Sequence, residues 1–90
     1  MNHYAELKLR INTKISDIEK IKEMVKPITE FGNKHDIEIY SEFDKNDNYI
    51  YAEIIATGLT TRYCRGAVHE VKQMYKDIFK CKIDTLLEMY

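Results

Sequence analysis

Between Tyr49 and Ala56 the chain alternates with a period of two, and only an extended strand presents such a pattern as two coherent faces. Ile50, Ala52, Ile54 and Ala56 form a flat apolar side that needs helices laid over it. Tyr49, Tyr51, Glu53 and Ile55 form the other side, where two large aromatics either meet a partner or stand at an open sheet surface.

This strand has a neighbour on its N-terminal side. Ile37, Ile39, Ser41 and Phe43 alternate against Glu38, Tyr40 and Glu42, and Asp44-Lys45-Asn46-Asp47-Asn48 is turn chemistry that joins the two strands as an antiparallel hairpin. A third alternating stretch opens the chain, with Ala5, Leu7, Leu9 and Ile11 against Tyr4, Glu6, Lys8 and Arg10. At the C-terminal end, residues 79–90 alternate weakly and are expected to form a fourth strand rather than a helix extension, with Leu86 and Tyr90 on the tyrosine side.

Two helices separate these strands. The first starts at Ser16-Asp17-Ile18-Glu19, which has the form of a capping box, and carries Ile18, Ile21, Met24, Val25, Ile28 and Phe31 on one stripe. Pro27 predicts a bend or an early end of regular α geometry, and Gly32 is expected to stop the helix in the left-handed conformation. The second helix follows Gly58, with Thr60 or Thr61 as its cap and Cys64, Ala67, Val68, Val71, Met74, Tyr75 and Ile78 on its apolar side. The sum is a single α+β domain over residues 1–90 with a ferredoxin-like βαββαβ plan. Its four-stranded antiparallel sheet has two helices on one face and a strand order four, one, three, two.

Composition limits the function classes. A chain of 90 residues builds one core, and a net charge of −1 argues against bulk electrostatic attraction to nucleic acid. No apolar run approaches the roughly 20 residues of a membrane span. Met1-Asn2-His3-Tyr4 leads directly into strand pattern without a secretory leader, so the reading is a cytoplasmic protein with no membrane role. Two cysteines, Cys64 and Cys81, fit a reducing compartment, and His3, His35 and His69 are scattered without metal-ligand spacing. Cys64 stands between Arg62 and Arg65, an electropositive setting of the kind reactive thiols occupy, but its place on the apolar stripe makes it a core residue. No enzymatic activity, cofactor or metal is expected.

Three surfaces carry the functional expectation. The uncovered sheet face gathers Tyr4, Tyr40, Tyr49, Tyr51, Ile55 and Leu86, and is read as a protein-binding face through which the chain forms a homodimer. On the outer side of the second helix, Arg62, Arg65, His69, Lys72 and Lys76 follow at three- and four-residue spacing as a basic ridge, a candidate for an anion or nucleic acid. Gly66, awkward within that helix, suggests a close approach to its backbone. The third surface is the N-terminus of the same helix, Thr60-Thr61-Arg62.

Two alternatives compete with the homodimer. One is a small inhibitor or adaptor that docks on a larger macromolecular complex. The other is a single-stranded RNA binder. Tyr4 with the Tyr49 and Tyr51 pair resembles the base-stacking aromatics of RNA-recognition motif domains, a resemblance that implies stacking on the sheet face. Against it, Ile50 stands where glycine is usual, Asp47 and Asn48 replace the basic positions, and Glu6, Glu38, Glu42 and Glu53 share the face.

Overall fold

Strand β1 (His3–Asn12) pairs along its whole length with β3 (Tyr49–Gly58), antiparallel, in a computed structural model that describes residues 2–90. Ala5, Leu7, Leu9 and Ile11 thereby lie opposite Ala56, Ile54, Ala52 and Ile50, and none of the eight is more than 1% exposed. Strand β2 (Glu38–Asp44) flanks β3 and β4 (Ile83–Met89) flanks β1, so the order across the sheet is β2-β3-β1-β4, the order expected from the sequence. The fold is therefore α+β with a four-stranded antiparallel sheet, and the C-terminal segment is a strand.

The described residues form three helices rather than two. The first predicted helix divides into α1 (Ile18–Met24) and α2 (Lys26–Lys34) at Val25, with Pro27 in the first turn of α2. Proline lacks an amide hydrogen and tolerates the first turn, where that donor has no helical acceptor, so the chain restarts a helix there instead of bending one. The break rotates Met24 outward to 36% exposure, while Ile21, Val25 and Ile28 stay buried and Ile18 and Phe31 pack at the core margin. The cap of α1 is Asp17, not Ser16: its carboxylate accepts from the Glu19 and Lys20 amides at 3.0 and 3.4 Å. An ionised acceptor at the positive end of a helix outcompetes a hydroxyl one residue earlier.

Gly32 also differs from expectation. It is inside α2 with no positive φ, and the left-handed residue is Asp36, φ 55°, after the helix has run on to Lys34. The reason for glycine is proximity: a Cβ at position 32 would stand 2.9 Å from the Ile37 carbonyl oxygen and 2.9 Å from Ile39 Cδ1. There α2 leans on β2, and the Ile37 amide donates to the Gly32 carbonyl at 2.8 Å.

Helix α3 (Thr61–Phe79) lies over β1 and β3. Thr60 is its cap, accepting from the Tyr63 amide at 3.0 Å, and Lys80, φ 49°, ends it in the left-handed conformation. Cys64, Ala67, Val68, Val71 and Tyr75 are buried as the stripe predicts, and Tyr75 bonds Ser41 Oγ through its hydroxyl at 3.2 Å. Two loops are stitched together by Asn48, φ 54°, whose side chain accepts from the Ile15 amide and whose carbonyl accepts from the Thr13 amide, both at 3.0 Å.

Glycine has opposite meanings at positions 32 and 66. Gly66→Ala, with no atom beyond its own helical turn within 4 Å of the added carbon, is expected to raise stability by up to about 1 kcal/mol. Gly32→Val is expected to lower it by about 1–3 kcal/mol through overpacking against β2. Urea denaturation of the dilute protein measures both.

Candidate functional site

Antiparallel register decides what the uncovered face of the sheet displays, because residues opposite one another share a face. Reading across β2, β3, β1 and β4, one row holds Glu38, Ile55, Glu6 and Met89, and the next Tyr40, Glu53, Lys8 and Leu87. A third holds Glu42, Tyr51, Arg10 and Asp84. Asp44, Tyr49 and Asn12 close one end, and Tyr4 beside Thr57 closes the other. Six carboxylates (Glu6, Glu38, Glu42, Asp44, Glu53, Asp84) thus face two cations, Lys8 and Arg10.

The cations sit at the centre and bind the face together. Lys8 Nζ is 3.4 Å from Glu53 and 4.0 Å from Glu6, and the Arg10 guanidinium lies 4.1 Å over the Tyr49 ring while its Nε donates to Asn12 at 3.1 Å. Tyr51 donates its hydroxyl to the Glu53 carboxylate at 2.6 Å. That bond, reinforced by desolvation and by the charges of Glu53, Glu42 and Glu6, pushes the Tyr51 phenol up to about 12, and it holds the Glu53 carboxyl below its usual range. Tyr40 and Tyr4 are freer, 56% and 43% exposed, with Tyr40 donating to Glu38 at 3.4 Å.

Strand β4 departs from the expected alternation. A bulge opposite Lys8 and Leu9 places Leu86 at an extra position outside the one-to-one register, where it is exposed, and carries Leu87 and Met89 onto the uncovered face. Tyr90 goes to the helix side instead: its hydroxyl is 2.7 Å from His69 Nε2, and the Arg65 guanidinium lies 5.0 Å over its ring. The one local signal was the adjacent pair Leu86-Leu87, which interrupts a period of two.

The basic ridge is partly engaged within the chain. Lys72 donates to Thr85 at 2.8 Å, and His69 and Arg65 hold Tyr90, so three of its members shield the underside of β4, which no helix covers. Arg62 and Lys76 are exposed and separate from that contact. At the start of α3, the Thr61 hydroxyl is 3.2 Å from His3 Nδ1. The thiol of Cys64 is buried and donates to the His3 carbonyl at 3.3 Å, as a core cysteine does, and His35 packs its ring 4.4 Å from that of Phe31. Among the described residues no cluster of His, Cys, Asp and Glu has the geometry of a metal site, and no helix is long and apolar enough to cross a membrane.

No protein-family model matches the chain, and no curated protein matches it. Among solved structures it is similar to the de novo designed protein Foldit4, with a TM-score of 0.62 and 14% identity over 100% of this chain and 98% of that one. A likeness at that identity shows the fold alone.

Tyr51 and Tyr75 each have a phenol raised above the ordinary value near 10, the first by the Glu53 bond and the second by burial. A raised folded-state value means stability that is complete below the unfolded value and lost as pH climbs through the folded one. Urea stability is therefore expected to fall from about pH 10 upward. Tyrosinate absorbance of the folded protein should show a step near pH 12 that Tyr51→Phe removes.

Proposed function

We propose that this chain is a non-catalytic binding module whose open sheet face docks on a basic protein surface, as a small adaptor on a larger assembly does. The observation that carries this is the charge of the face, six carboxylates against two cations, set around Ile55, Leu87 and Met89. Apolar side chains supply contact area and the surrounding carboxylates select lysine and arginine on the partner. Two copies of the same face would bring like charges together, which makes a heterologous basic partner the better complement than the self-pairing the tyrosines suggest. Phosphates meet the same repulsion. The non-catalytic reading draws support from Cys64, which is turned inward to a backbone carbonyl.

On this reading the architecture is a ferredoxin-like split βαβ plan, with α1 and α2 as the two halves of its first crossover. Cys64 and Cys81, both free, support a cytoplasmic setting.

A synthetic peptide alternating lysine and leucine serves as probe. Its addition to labelled protein is expected to shift amide resonances of β1, β3 and β2 on the sheet-face rows, more at low salt than at high. Glu38→Gln with Glu42→Gln should weaken binding several-fold, and the glutamate-for-lysine peptide should not bind. Absence of shifts, or shifts confined to α3, overturns the proposal. Sheet-face shifts with a single-stranded oligonucleotide instead would favour the nucleic-acid alternative.

A further inference from the structure

Gly66 lies six residues into α3, where glycine costs about 1 kcal/mol relative to alanine. Gly32 and Gly58 make room for atoms of their own chain: a Cβ at position 58 would stand 2.6 Å from Tyr63 Cδ1, as one at 32 would strike β2. Gly66 makes room for none, since beyond its own helical turn nothing comes within 4 Å. The notch opens onto a surface groove between α2 and α3, walled by Phe31, His35, Ile37, Tyr63 and Ala67. Beside it on α3 Tyr63 stands 52% exposed, and Leu59, two residues before the helix starts, is 84% exposed and lines a neighbouring depression with Tyr63. This is an apolar surface that the fold itself does not cover.

The charges flanking the notch specify what covers it. Arg62 and Glu70 stand four residues to either side of Gly66 on the same row of the helix surface, each about 6 Å from it along the axis at about 1.5 Å per residue. Both are exposed, both line the groove, and neither forms an ion pair among the described residues. A two-fold axis through Gly66 reverses the direction of α3, so it places each Arg62 against the second copy's Glu70. The pattern of cation, notch and anion is complementary to its own antiparallel image. Arg65, the nearest competing cation on α3, is turned aside over the Tyr90 ring.

We propose that α3 is a self-association surface: a second copy of this chain packs its α3 antiparallel across Gly66, with the backbones close at the notch. Tyr63 of each copy fills the other's groove, and two Arg62–Glu70 pairs fix the register. Packing of rows spaced by four residues gives a crossing near −50°. The acidic sheet faces of both copies then point outward and remain free for a partner, so the dimer does not depend on what that face binds.

Light scattering across a concentration series tests this, with circular dichroism to confirm folding of each variant. The wild type is expected to pass from monomer to dimer. Gly66→Leu should yield a folded monomer, whereas Arg62→Glu and Glu70→Arg, each alone, should raise the dimer dissociation constant about tenfold or more by placing like charges together. The double swap Arg62→Glu with Glu70→Arg restores complementarity and should return the constant to within about threefold of wild type. Glu38→Gln with Glu42→Gln, on the sheet face, should leave the dimer intact. A wild type monomeric at the highest attainable concentration, a dimer that survives Gly66→Leu, or a double swap no better than the single ones overturns the proposal.

Discussion

The pairing of β1 with β3 is the constraint on which the molecule depends. It places eight apolar side chains from two strands in a continuous sheet face with essentially no exposure. The large members, Leu7, Leu9, Ile11, Ile50 and Ile54, each gain about 1.5–3 kcal/mol by leaving water. A slip of one residue would turn all of them outward, so the hydrophobic pattern and the register enforce each other. The other elements build outward from this pair: α3 lies across it, β2 and β4 extend it, and α2 packs on β2 and α3 with α1 against it.

The same register that buries one face composes the other. Once Leu7 is opposite Ile54, Lys8 must be opposite Glu53, and Arg10 opposite Tyr51. The uncovered face is thereby a fixed lattice of charges and rings rather than a collection of independent side chains. Its two cations stabilise the centre by touching several neighbours each, while the excess of carboxylate is left toward the margins, on β2 and at Asp84. The proposed recognition of a basic surface follows from that arrangement, since marginal carboxylates without cationic partners are the ones a second molecule can engage at least desolvation cost.

The helical layer divides its work between two sides of α3. Toward β4, Arg65, His69 and Lys72 cover the part of the sheet that extends beyond the helices. Toward α2, Gly66 leaves a gap. A row of like charges at helical spacing therefore has a structural use here, as cover for an edge strand, which reduces the share of the ridge that is free to meet phosphate.

The alternating strands, the hairpin turn, the stripe of α3 and the Thr60 cap were legible in the sequence because each depends on a local period or a local hydrogen bond. The interruption at Pro27 was legible for the same reason. What required the tertiary structure was everything set by contact between distant segments. Gly32 is glycine because β2 passes it, not because the helix ends there, and the first cap fell to Asp17 by competition with Ser16. Tyr90 changed sides because a bulge in β4 shifts the phase of the last residues by one, and a single added residue exchanges the two faces of a strand. The contributions of β1, β2 and β3 to the sheet face were thus written in the sequence, but its net charge, its neighbours and the members β4 supplies were decided only when four strands were laid side by side. Sequence spacing fixes which side of its own strand a residue takes, and only pairing fixes what stands next to it.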